Sequence, residues 1–313
     1  METLFSIFST PEQRGIVPLT PHHIAKGKEG GRLLGIGKTI REKWVHCGND
    51  YNEFYIYHKN NNNPPARRNR RHRDTAPAQK NLNDKQSRRH FIRLAYGNFG
   101  WKDYHITATY DDEYLPLTWE DALRDARNYM KRIVRRCKKL GLPPPKYLGV
   151  VECYDKNGKP CRIHLHILIS CELSRDELES LWHKKGMKKG KTLGFVNVDK
   201  IRMANNGIER LARYITKYPD KAGDTEDAEE LKNLHKRPHG QRRWFQSLNL
   251  TIPFSTYADK KYKPSSFKKS LDRYRDKEYW EELYPGFRYL FCTREKSDIS
   301  GWCICLKMQR ITS

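Results

Sequence analysis

Alternation of apolar and polar positions is clearest in the stretch Glu152 to Ser170, ECYDKNGKPCRIHLHILIS. Successive side chains of a strand point to opposite faces. Ile163, Leu165 and Ile167 therefore share the core face of the predicted strand, and His164 and His166 share the other, about 7 Å apart along it. Asp155, Lys156, Asn157 and Gly158 predict the turn of a β-hairpin, with Gly158 in the left-handed conformation of a three-residue loop. That loop sets Glu152 opposite Arg162, on the face of both histidines. A two-residue loop at Asn157-Gly158 would turn Glu152 into the core, where an unpaired carboxylate is costly, so the odd-length loop is expected.

The period changes to 3.6 at Ile208 to Tyr218, IERLARYITKY. Ile208, Leu211, Ala212 and Ile215 form an apolar stripe at helical spacing. Asn206 and Glu209 have the spacing of a capping box, and Pro219 ends the helix. Tyr214, Lys217 and Tyr218 stand at i, i+3 and i+4, on one flank.

Other elements follow from the same patterns. Residues 43–57 offer two short strands around Gly48-Asn49-Asp50, and residues 85–97 a short basic helix. Tyr104 to Tyr110 alternate as a first core strand, followed by a polar turn at Asp111 to Glu113. Thr118 caps a long helix whose inner face is Ala122, Leu123, Ala126, Met130, Ile133, Val134 and Cys137. Arg124, Arg127, Lys131, Arg132, Arg135 and Arg136 load its remainder with charge, and Gly141 with prolines 143 to 145 ends it. Ser174 and Glu177 form a capping box for a second helix, with Leu178, Leu181 and Trp182 facing inward. A strand is expected at 194–201, one charged helix at 268–283, and two closing strands at 287–292 and 302–308. This order predicts an α+β fold around an antiparallel sheet. Residues 1 to 40 read as extended or disordered, and 58–74 as a linker, Asn-rich and then Arg-rich. The expected division is an extension at 1–80, with its small hairpin and linker, and a main domain at 81–313.

Composition narrows the partners. The chain has 313 residues and a formal net charge of +24, with 37% hydrophobic residues. Such an excess of Lys and Arg favours a polyanion, nucleic acid above all. No apolar run reaches the ~18 residues of a spanning helix, and METLFSIFSTPEQ lacks the pattern of a signal peptide, so no membrane partner is expected. Eight cysteines without a C-x-x-C pair suggest a reducing compartment. Two imidazoles and a carboxylate on one face can hold a divalent metal with open positions. Arg242, Arg243 and Trp244 combine positive charge with an aromatic that can stack a base.

Together, His164-Leu165-His166 and the later pair Tyr214 and Lys217 resemble the HUH endonucleases, specifically the rolling-circle replication initiators. Histidines before tyrosine is the initiator order, the reverse of most conjugative relaxases. Tyr218 beside Lys217 is similar to the two-tyrosine initiators of small phages. Residues 81–116, 240–253 and 284–295 resemble initiators related to the filamentous-phage replication endonuclease, so the likeness covers roughly residues 80 to 313. It implies a ferredoxin-like sheet with flanking helices and the histidine strand central. It also implies Mg2+ or Mn2+ held by His164, His166 and Glu152. Tyr214 or Tyr218 would be the nucleophile, and Lys217 would stabilise developing charge. The substrate would be single-stranded origin DNA in the cytoplasm of a bacterial host. No G-x-x-x-x-G-K-S/T loop is present, so strand separation would fall to a host helicase. Three other readings stay open on the residues alone: a single-stranded nucleic-acid-binding protein without catalysis, a metal-dependent nuclease using water, and an HUH transposase or relaxase.

Overall fold

The computed structural model describes residues 39–48, 50–59, 77–154, 160–188, 190–203, 207–216, 243–259, 261–297 and 301–311. Its strands are β1 (Ile40–Cys47), β2 (Tyr51–His58), β3 (Tyr104–Ala108), β4 (Lys146–Tyr154), β5 (Pro160–Ser170), β6 (Val196–Lys200), β7 (Phe245–Gln246), β8 (Phe254–Ala258), β9 (Phe287–Ser297) and β10 (Gly301–Arg310). Its helices among the described residues are α1 (Pro77–Asn98), α2 (Trp119–Lys139), α3 (Arg175–Ser180), α4 (Glu209–Ile215), α5 (Pro264–Asp272) and α6 (Lys277–Leu283). The strands pair antiparallel in two five-stranded sheets, ordered β6-β3-β5-β4-β7 and β8-β1-β2-β10-β9. The fold is α+β.

The histidine strand, β5, is the middle strand of the first sheet, which is covered on both faces. On one face Ile163, Leu165, Ile167 and Ile169 pack with Ala126, Met130 and Ile133 of α2, Leu178 of α3 and Trp182. On the other, Leu148, Val150 and Leu168 meet Phe91, Leu94 and Ala95 of α1 and Ile208, Ala212 and Ile215 of α4. The α2 stripe is buried as its spacing predicts, except Val134, which is exposed. Thr118 accepts the Asp121 amide at 3.1 Å, a cap that contributes about 1 kcal/mol. The α3 capping box forms at Ser174 and Glu177. Gly149 lacks a side chain where the Phe245 ring crosses β4; a Cβ there would stand 2.4 Å from the ring.

The second sheet departs from the expected single one. The hairpin β1–β2, placed by sequence in the N-terminal extension, lies between β8 and β10. It shares a core with α5, α6 and the C-terminal strands, built on Phe54, Ile56, Trp280, Ile304 and Leu306. The charged helix expected over 268–283 is two helices, because Asp276 caps a new one by accepting the Tyr279 amide at 3.0 Å. The basic helix expected over 85–97 extends back to Pro77 as α1.

Helix α1 packs on β1 of one sheet and β4 of the other. Tyr96 of α1 lies flat on Tyr51, ring centroids 3.7 Å apart, and Arg93 pairs with buried Glu53 at 2.7 Å. A second tie reaches α4, where Lys307 of β10 bonds both carboxylate oxygens of buried Glu209, at 2.7 and 2.8 Å. Burial raises the Glu209 pKa, but Lys307 and then Arg213 outweigh it, and the carboxyl is held below its ordinary value. The stability it supplies is therefore complete above the unfolded value of about 4.3 and is lost as pH falls through the lower folded pKa. Lys307→Met should cost about 3 kcal/mol in urea unfolding, near the low end for a broken buried pair because Arg213 remains. The acid unfolding midpoint should rise. An unchanged midpoint would mean that Glu209 is not anchored by Lys307.

Candidate active site

The site begins with the register of β4 on β5. Near the turn, Tyr154 pairs with Pro160, in line with the expected odd-length loop; residues 155–159 lie outside the described residues. The register then shifts, so that Glu152 faces His164 and Val150 faces His166. Glu152 is therefore opposite His164 rather than Arg162, as the turn alone had suggested. The irregularity moves the pairing by two residues, and a shift of two preserves the face. Glu152 stays on the histidine side.

One ligand atom from each of Glu152, His164 and His166 falls within 4.8 Å of the others. His166 Nε2 is 3.1 Å from Glu152 Oε2, and His164 Nε2 is 3.7 Å from it. His166 is 3% exposed. Yet Glu152 Oε2 and His166 Nε2 are both buried without a hydrogen-bond partner; the ring N–H direction misses the carboxylate. Two orphaned buried polar atoms aimed at one point cost several kcal/mol together unless something satisfies both. A divalent cation does that, and an N,N,O donor set with open positions suits Mg2+, Mn2+ or a borderline metal. The residues fit the group. On its far side the His164 ring donates Nδ1–H to the Arg162 carbonyl at 2.8 Å, which leaves Nε2 as the coordinating atom.

Helix α4 brings Tyr214 to the same place. Ile208, Ala212 and Ile215 are buried beneath it and Leu211 is half-buried, as the stripe predicts. Tyr214 sits edge-on to His166, ring centroids 5.5 Å apart at 76°, and is 45% exposed. Its pKa is raised, first by burial and then by the charge of Glu152. Asn206, Lys217, Tyr218 and Arg242 lie outside the described residues, and the preceding residue, Ile208, makes no side-chain cap for α4. Trp244 packs on Phe91 and donates Nε1–H to Gln246 at 2.7 Å. It sits on the same sheet face as the three ligand candidates. Burial lowers the pKa of Arg243.

Sequence reasoning missed His105 and Thr107 of β3. Both line the histidine face, with His166 Nδ1 at 3.2 Å from His105 Nε2 and 3.3 Å from Thr107 Oγ1. Their alternation in YHITATY was legible, but only the pairing of Thr107 with His166 shows which face they share.

Residues 103–223 match the model of a known family of replication-associated proteins, the ORF2 type. That stretch contains both the histidine strand and the tyrosine helix, so the likeness to phage and plasmid initiators holds over it. No curated protein and no solved structure matches the chain. No described helix is long and apolar enough to cross a membrane.

If Glu152, His164 and His166 form one cation site, titration calorimetry with Mn2+ should show a single site on the wild type. His166→Ala should weaken it at least tenfold, and His164→Ala similarly. Undiminished Mn2+ affinity in the double variant would place the cation elsewhere.

Proposed function

We propose that this chain initiates rolling-circle replication by nicking single-stranded origin DNA, with Tyr214 as the nucleophile. The observation that carries the reading is Tyr214 standing edge-on to His166, beside the two orphaned ligand atoms, within the stretch that matches replication-associated proteins. Basic surface draws the strand in, since net charge of +24 favours phosphate contacts. Arg242, Arg243 and Trp244 contribute phosphate and base contacts on the site's own face of the sheet.

In the proposed step the Tyr214 oxygen bonds to the scissile phosphorus and the bond from phosphorus to the 3′ oxygen breaks. The tyrosine proton is transferred, in net, to the departing 3′ oxygen. The 5′ side of the DNA is left as a phosphotyrosyl ester, and the free 3′-hydroxyl serves as primer. One ester replaces another, so rejoining needs no ATP. A bound Mg2+ or Mn2+ would polarise a phosphate oxygen and offset the Glu152 charge that keeps the Tyr214 proton on. Lys217 stabilises the developing negative charge. Tyr218 accepts the strand in a second transfer while Tyr214 remains loaded. A host helicase separates the strands.

The direct test is a denaturing gel of full-length protein, Mn2+ and end-labelled origin oligonucleotides. Wild type should give a band resistant to boiling in detergent, carrying the DNA 3′ of the nick. Tyr214→Phe, which keeps the ring and removes the hydroxyl, should lose it by a factor of at least 10². Tyr218→Phe should keep first cleavage and impair the later transfer. Cleavage by the wild type with no covalent band would make water the attacking group. Retention of the band in the double variant would move the nucleophile to another residue.

Binding has its own signature. Affinity for single-stranded DNA should fall steeply with salt, by about 0.7 in log K per log unit of salt for each phosphate contacted. Deletion of residues 64–73, which hold several of the linker arginines, should flatten the slope measured by fluorescence anisotropy. A salt-independent affinity would remove phosphate contacts as its main source.

A further inference from the structure

We infer that His105 is a positioning residue, which holds His166 in the tautomer that leaves its Nε2 free to coordinate. The inference rests on the metal-site reading of Glu152, His164 and His166. A neutral imidazole carries one proton, and whichever nitrogen holds it cannot be a ligand. For His164 the question is closed by its own strand, because the Arg162 carbonyl only accepts and so takes Nδ1–H. His166 has no such carbonyl. Its Nδ1 faces two groups that can each donate or accept, His105 Nε2 at 3.2 Å and Thr107 Oγ1 at 3.3 Å.

Two arrangements are open to His166. In one, Nδ1 accepts and Nε2 carries the proton, which must then find an acceptor inside the site. Glu152 Oε2 is 3.1 Å away, but neither atom is satisfied by the other, so that arrangement buries a donor with no acceptor. In the other, Nδ1 donates outward and Nε2 presents a lone pair toward Glu152 and His164. The His105 ring is built to receive that proton. Its centroid lies 5.3 Å from that of His166, with planes 19° apart. With the two nitrogens at 3.2 Å, the rings meet edge to edge rather than overlapping, which is the geometry of an N–H···N bond.

The strands enforce this contact. Thr107 pairs with His166 and His105 with Leu168, so His105 is one pleat along on the same face. On its other flank it faces Asp199 of β6, whose charge acts on the ring. The Thr107 hydroxyl rotates freely between donating and accepting and does not select a tautomer. An imidazole acceptor does.

The test uses full-length protein labelled with 15N-histidine and free of metal. Long-range 1H–15N correlation should show His166 as the Nδ1–H tautomer, and His105→Phe should shift it toward Nε2–H. Mn2+ affinity by calorimetry should fall about 10–100-fold in His105→Phe and stay within threefold of wild type in Thr107→Val. His105→Gln, whose amide oxygen can take the same proton, should recover most of the affinity. An Nε2–H tautomer in the wild type would overturn the inference without any variant having to fold, as would His105→Phe with Mn2+ affinity within twofold of wild type. The expected tautomer and affinities together with no nicking by the wild type would strike the proposed reaction and leave the role of His105 standing.

Discussion

The parity of the β4–β5 pairing is the constraint on which the site depends. Side chains of a strand alternate with a period of two, so a slip of one residue would exchange the faces completely. Leu165, fully buried against α2, would turn to the histidine side, and Glu152 would enter the apolar core with its charge unpaired. Burying Leu165 contributes roughly 2 kcal/mol, and an unpaired buried carboxylate costs more than that. Both penalties act against the same slip. A change of register by two residues meets neither, which is why the irregularity between Glu152 and Tyr154 is tolerated.

Once the sheet face is set, the remaining parts reach it through helices held from both sides. The underside of α4 is apolar and rests on the core that includes α1 and β4. Its first turn is tied to the other sheet through Glu209 and Lys307. Tyr214 stands on the opposite flank of that short helix. A seven-residue helix is not stable by itself, so the place of Tyr214 is a property of the two sheets and α1 together. The β1–β2 hairpin thereby bears on the site from a distance, through the contacts of Tyr51 and Glu53 with α1.

The electrostatics separate into an outside and an inside. Outside, the excess of Lys and Arg produces a field that attracts polyanions over the Debye length. Inside, Glu152 is the acid among the three converging side chains, and its charge raises the pKa of Tyr214. A negative recess in a positive chain repels phosphate at short range unless a cation sits within it. The same recess keeps its histidine nitrogens available, because His164 and His166 spend their Nδ1 atoms on groups away from the centre.

The sequence by itself determined the local facts. Alternation placed His164 and His166 on one face of a strand. Helical spacing placed Tyr214 above Ile208, Ala212 and Ile215, and capping signals began α2 and α3 at Thr118 and Ser174. Each depends on residues within a few positions of one another, where backbone geometry relates spacing to direction. The convergence of His164, His166 and Glu152 was legible up to its register, because a hairpin is also local. What only the tertiary structure decided lies at long separation. That β3 flanks β5, and so sets His105 and Thr107 against His166, depends on pairing across about sixty residues. That the N-terminal hairpin joins strands near the C-terminus depends on pairing across some two hundred and fifty. The break of the last helical segment at Asp276 followed from one cap hydrogen bond competing with a continuous charged pattern. Strand partners at such distances are chosen by burial summed over the whole core, and no window of the sequence contains that sum.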